Sequence, residues 1–280
     1  MNIPKYWARS DNPAPGSFSC WQSSNVSLED AQRDANARAL ELARKFQAGA
    51  SLDRYSYGDR PLREEVVQTL TDNNGNDVAV VTRNLYGALI LNASSAMFID
   101  VDFASHGQIA PTGGFFRRLF FGKESPDDAE QRCLKQIRAW AARQPGVGLK
   151  IYRTCAGLRC LVTNQTFDPT RPHTIELLRD IGSDPLYVRL CQSQACFRAR
   201  LTPKPWRCGT PLPPARFPLN SAAAESSFNQ WRTEYERSIR AFSVCRFIEN
   251  VGATQVNPEI QPIVDLHDRI ACERPDRPLA

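Results

Sequence analysis

The sequence predicts an α+β fold: a split β-α-β unit preceded by a hairpin and flanked by helical extensions. Three observations predict it. From Met97 onward, apolar residues switch between a period of two and a period of three to four, giving strand, helix, strand, strand, helix, strand. The segment Met97-Phe-Ile-Asp-Val-Asp-Phe103 has the β-branched and aromatic content of a strand. No stretch approaches 18 consecutive apolar residues, and the best run, Ala96–Phe103, is broken by two aspartates, so no membrane span and no membrane partner are expected.

In chain order, Pro13, Pro15 and Gly16 predict a loop up to Asn25. Ser27 then caps a helix to about Gln47, with Ala31, Ala35 and Ala39 on its buried stripe. Glu65–Thr71 and Val78–Arg83 flank a turn-rich loop and predict an antiparallel hairpin, followed by strands near Gly87–Leu91 and Met97–Phe103. Ser125 and Pro126 open a helix to about Arg143. Strands at Gly148–Thr154 and Leu158–Thr163, a helix at Thr170–Ile181, and strands at Leu186–Cys191 and Cys196–Leu201 complete a βαββαβ order, the arrangement of ferredoxin-like and RNA-recognition-motif folds. A proline-rich linker and one long helix, Glu225–Gly252, follow; this helix is a candidate protein-partner surface. The chain thus divides into residues 1–63, 64–204 and 205–280.

Composition narrows the function classes. Across 280 residues, 42% are hydrophobic and 23% charged, the balance of an ordinary folded protein. Nine cysteines at irregular spacings, with no Cys-x-x-Cys, point to reduced thiols and a cytoplasmic chain. The net charge is +5, yet residues 113–207 carry 17 Lys/Arg against 8 Asp/Glu. So local an excess predicts a polyanionic partner. There is no phosphate-binding Gly-x-x-x-x-Gly-Lys-Ser/Thr loop and no Gly-x-Ser-x-Gly elbow, which removes those ATPase and hydrolase classes.

Asp100 and Asp102 fall on one face of a strand that this topology places centrally in its sheet. Two carboxylates so close repel each other, and a hard divalent cation, Mg²⁺ or Mn²⁺, relieves the repulsion. Asp184, read as the start of the last core strand, offers a third. Gly157 permits a tight turn and close approach of a ligand. Arg159 and Arg189 supply forked donors for phosphate oxygens, and Arg198, Arg200, Lys204 and Arg207 extend the positive charge along later strands. If Asp100 and Asp102 are metal ligands only, Asn at either position is expected to leave the fold intact.

Taken in order, Phe98-Ile-Asp-Val-Asp102, Thr154-Cys-Ala-Gly-Leu-Arg159 and Ser183-Asp-Pro-Leu-Tyr-Val-Arg-Leu190 resemble the three motifs of the archaeo-eukaryotic primase superfamily, over residues 64–204. The resemblance implies an RNA-recognition-motif-like palm with metal-dependent nucleotidyltransferase activity of primase-polymerase type. Asp100, Asp102 and Asp184 would hold Mg²⁺ or Mn²⁺, while Gly157, Arg159 and Arg189 would contact the nucleoside triphosphate. Arg198, Arg200, Lys204 and Arg207 would bind nucleic acid. Arg159 stands where the family has a histidine. An arginine keeps a phosphate grip but cannot exchange a proton. The alternative is therefore a catalytically altered module that still binds nucleotide or nucleic acid.

Overall fold

The computed structural model describes residues 1–10, 20–49, 61–72, 74–103 and 125–280. Residues 104–124, with His106 and the Gly113–Arg118 loop, lie outside them. Among the described residues the protein is mixed α+β, with six α-helices and three antiparallel sheets. No described helix is long and apolar enough to cross a membrane.

The segment expected to be loop instead forms a two-stranded ribbon, β1 (Tyr6–Arg9) and β2 (Trp21–Ser24), which packs on α1 (Leu28–Gln47). Trp7 and Ala8 are buried, as are Ala31, Ala35 and Ala39 on the helix. Ser27 caps α1 as predicted, its hydroxyl accepting from the Asp30 amide at 3.1 Å.

The second sheet has the order β3 (Glu65–Thr71), β4 (Asp77–Arg83), β5 (Leu89–Ala93), β9 (Phe197–Arg200). The third has the order β10 (Cys245–Gly252), β7 (Gly148–Thr154), β8 (Gly157–Val162), β6 (Phe98–Asp102). Helix α2 (Pro126–Ala142) connects β6 to β7, and β8 lies between those two strands, so the split β-α-β unit is present. Helices α3 (Pro172–Asp180) and α4 (Pro185–Gln194) follow β8. The core cluster draws side chains from both four-stranded sheets; Trp140, Tyr152, Phe98 and Phe197 are among its largest.

Three further expectations are corrected. The predicted strand Leu186–Cys191 is helix α4. The Asp184 side chain accepts from the Tyr187 amide at 2.8 Å, Pro185 occupies the first turn, and Tyr187, Val188 and Cys191 share its buried face. Consequently β6 is an edge strand, not a central one, and β9 pairs with β5 in the other sheet. The start of α4 closes that edge. The Asp184 amide and the Ser183 hydroxyl both donate to the Asp100 carbonyl, at 3.0 and 3.1 Å, and the Tyr187 hydroxyl donates to the Phe98 carbonyl at 2.7 Å.

The third correction concerns the C-terminal region. The long helix ends at Ser238 as α5 (Ala222–Ser238), and residues 245–252 form β10 against β7. The apolar face of α5 is covered within the chain: Phe228, Trp231 and Tyr235 cluster with Cys208, which removes the reason to read it as a partner surface. A final helix, α6 (Gln261–Ala271), had no counterpart in the sequence reading.

Candidate functional site

The end of β6, the Thr154–Ala156 turn before β8, the first turn of α4 and residues 200–207 line a cleft of about 370 Å³. Asp100, Asp102 and Asp184 meet there, together with Arg200, Lys204 and Arg207. Of the predicted residues these six reach open cleft. The strand register explains the first two: Asp100 and Asp102 lie opposite Arg159 and Gly157 of β8. Asp184 arrives by a different route, as the N-cap of α4 bonded to the β6 backbone.

Arg159 also borders the cleft, but its donors are committed. It is 2% exposed. Its Nε donates to Asp100 Oδ1 at 2.9 Å and Nη2 to Oδ2 at 3.4 Å, while Nη1 donates to the Arg200 carbonyl at 2.9 Å. Burial alone would push the guanidinium towards neutrality; Asp100, with Cys245 behind it, more than offsets this and keeps the charge. In this geometry Arg159 positions Asp100, and its bonds run to Asp100 and to the Arg200 carbonyl instead of into the cleft.

Behind Arg159 lies a network that the sequence reading missed. Nη1 is 3.5 Å from His267 Nε2, and His267 Nδ1 is 3.0 Å from Asp268. With Arg159 donating to Nε2, the fitting tautomer carries its proton on Nδ1 and donates it to Asp268. Asp268 also accepts from Lys150 Nζ at 2.5 Å and from the Tyr152 hydroxyl at 2.6 Å. The available signal was Gln261-Pro262 followed by apolar residues at helical spacing through Ala271, which places His267 on a buried helix face.

This network sets an acid limit on stability. Burial pushes the Asp268 carboxyl up, but the bonds from His267, Lys150 and Tyr152 outweigh it and hold the pKa at about 2, below the usual 3.8. A carboxylate depressed in the folded state stabilises it above the unfolded pKa and loses that contribution as pH falls through the folded one. Wild type should therefore lose about 1–2 kcal/mol more than Asp268→Asn between pH 5 and pH 2, a figure reduced for the partial exposure of the carboxylate. Urea titrations across that window measure it, and parallel losses would overturn the assignment.

The other predicted residues separate. Gly157 lies against the backbone of β6. A Cβ there would lie 2.2 Å from the Val101 carbonyl oxygen, so glycine serves the pairing of β8 with β6. Arg189 is exposed on α4 and does not line the cleft. Arg198 is buried in an ion pair with Glu64, at 2.8 and 3.0 Å, which corrects its reading as a nucleic-acid contact.

The electrostatics of the cleft are unbalanced. Asp102 is exposed overall, and its carboxylate makes no hydrogen bond or ion pair among the described residues. Its carboxyl is pushed up by partial burial against the cleft wall and then by Asp100 and Asp184. Across the cleft, burial and the neighbouring Arg200 and Arg207 push the Lys204 ammonium down. Arg200 Nε is buried with no hydrogen-bond partner among the described residues. Asp100, Asp102 and Asp184 offer hard carboxylate oxygens, the donor type a divalent metal takes, but they do not bring three such oxygens within 4.8 Å of one another. The three ligating groups that close to within 4.8 Å among the described residues are others, His267, Asp268 and Cys272. There Asp268 is already saturated and Arg159 sits alongside, so that cluster suits a proton network and repels a cation. No family model, no curated protein and no solved structure matches this chain.

Proposed function

We propose that the protein is a metal-dependent nucleotidyltransferase of primase-polymerase type, built on an RNA-recognition-motif-like palm and acting on nucleoside triphosphates and nucleic acid. One observation carries the reading: the carboxylates of β6 and of the α4 N-cap line one cleft together with the cations of residues 200–207. Carboxylates and cations in one cleft suit a metal-bound polyphosphate, which carries both signs of charge.

Asp100, Asp102 and Asp184 would hold Mg²⁺ or Mn²⁺. When bound, the metal would favour ionisation of an attacking hydroxyl and offset charge on the transferring phosphoryl group. Arg200 and Lys204, which line the cleft, bind phosphate oxygens. Arg159 holds the Asp100 carboxylate in one orientation, so that group is in place before substrate arrives. Arg207, at the outer end of the same segment, continues the basic track along which a strand backbone lies.

The test is nucleotide incorporation on a primed template with Mg²⁺ or Mn²⁺. Wild type should incorporate, and Asp102→Asn should lower the rate by about 100-fold or more, since metal stabilisation of the transition state is worth several kcal/mol. The melting temperature of Asp102→Asn should equal or exceed that of wild type, because the substitution removes a charge that burial, Asp100 and Asp184 disfavour more than Lys204 and Arg200 favour it. The Arg159–Asp100 pair favours a second reading, a binding module that has lost catalysis. Nucleotide binding by wild type with no incorporation under either metal would select it.

A further inference from the structure

One aromatic pair stands at this cleft with no role in packing the core. Trp206 is 54% exposed, unusual for a residue that is highly buried on average. Its ring meets Tyr86, a cleft-lining residue, edge to face with centroids 5.3 Å apart. Lys204 Nζ lies 5.4 Å from the Trp206 centroid.

The segments that carry both rings are tied down. Tyr86 sits in the β4–β5 turn, where Asn84 Oδ1 accepts from the Tyr86 and Ala88 amides at 3.2 and 3.1 Å. The next residue, Gly87, has φ +90° and lies so close to Trp231 of α5 that a Cβ would meet its ring at 2.1 Å. The Trp206 segment is tied to the same helix, since the Tyr235 hydroxyl bonds the Pro203 carbonyl at 2.5 Å and the Thr202 hydroxyl at 3.0 Å. An exposed indole between Lys204 and Arg207, edge to face with the cleft-lining Tyr86, has the make-up of a stacking platform for bases. A rigid aromatic surface loses little entropy on contact.

We infer that Trp206, braced by Tyr86, stacks an unpaired nucleobase whose phosphates lie on Lys204, Arg200 and Arg207. This rests on the reading of the cleft as a nucleotide site and adds what that reading lacks, recognition of the base. The base comes either from a free nucleotide or from a single strand, and the probes separate the two.

The experiment measures affinities of ATP, tripolyphosphate, an oligothymidylate and an abasic oligomer of equal length, each with Mg²⁺. In wild type, ATP should bind more tightly than tripolyphosphate if the source is a nucleotide, and the oligothymidylate more tightly than the abasic oligomer if it is a strand. Trp206→Ala should weaken the favoured base-bearing probe by about 5- to 150-fold, the range for loss of one stacked base, and leave the base-free probes unchanged. Trp206→Phe should keep most of the preference. Wild type that binds base-free and base-bearing probes alike overturns the stacking role and spares the cleft. Equal weakening of all probes by Trp206→Ala overturns it too, since that marks a structural residue. Wild type that binds none of the four overturns the cleft reading itself.

Discussion

Asp100→Asn is expected to cost the protein about 2–4 kcal/mol of folding stability, whereas the same change at Asp102 costs none. The difference lies in what each carboxylate faces. Asp100 neutralises a guanidinium whose side chain is 3% exposed, and removing the charge strands that cation in the interior. Breaking a buried pair by removing one partner costs about 3–5 kcal/mol, reduced here because the Asp100 side chain is 28% exposed and water reaches it. Arg159→Met should cost a similar amount by releasing the Arg200 carbonyl and His267 as well. The double variant should cost clearly less than the sum, since neither charge is then unpaired. Urea denaturation of the four proteins measures this. Asp100→Asn with wild-type stability would show that the pair is not formed in solution and would return Arg159 to the substrate. The expectation that Asn at position 100 is structurally neutral rests on treating the carboxylate as a metal ligand alone.

Much of the scaffold is legible in the sequence because local signals carry it. The strand Phe98–Asp102, the capped helices after Ser27 and Ser125, and the β3–β4 hairpin each announce themselves through period and cap chemistry. Asp184 reaches the site, yet on a helix. Asp184-Pro185 carries the same cap-and-proline signature as Ser125-Pro126, and reading it as a turn before a strand inverted the edge of the sheet. β10 is hidden because the helical spacing of Tyr235, Ile239 and Phe242 runs on towards it, while its pairing partner β7 lies about 90 residues away. The network at His267 is invisible for the same reason. Its members come from β7, β8 and α6, and only tertiary packing brings Lys150, Tyr152 and Asp268 together.

The basic strand shows the limit most sharply. A period of two places Arg198 and Arg200 on one face of β9, and by sequence the two are equivalent. They are not. Arg198 turns inward, where both Glu64 oxygens accept from it, and Glu64 in turn accepts from the Thr82 hydroxyl at 2.5 Å, which accepts from Asn92 at 3.0 Å. Arg198→Ala is therefore expected to cost about 3–5 kcal/mol, because Glu64, 4% exposed, is left as a buried carboxylate facing neutral groups. At about 2–4 °C per kcal/mol for a chain of this size, the melting temperature should fall by roughly 6–20 °C. Arg200→Ala, two residues along, should shift it little and instead weaken binding of ATP and of single-stranded DNA, with a shallower salt dependence for the strand. Glu64→Gln should reproduce the stability loss of Arg198→Ala without touching the affinity of the surviving fold. Thermal melts and binding titrations on the three variants separate the roles. Arg198→Ala with an unchanged melt and weakened DNA binding would mean that the Glu64 pair opens in solution, and would put Arg198 back on the nucleic-acid surface beside Arg200.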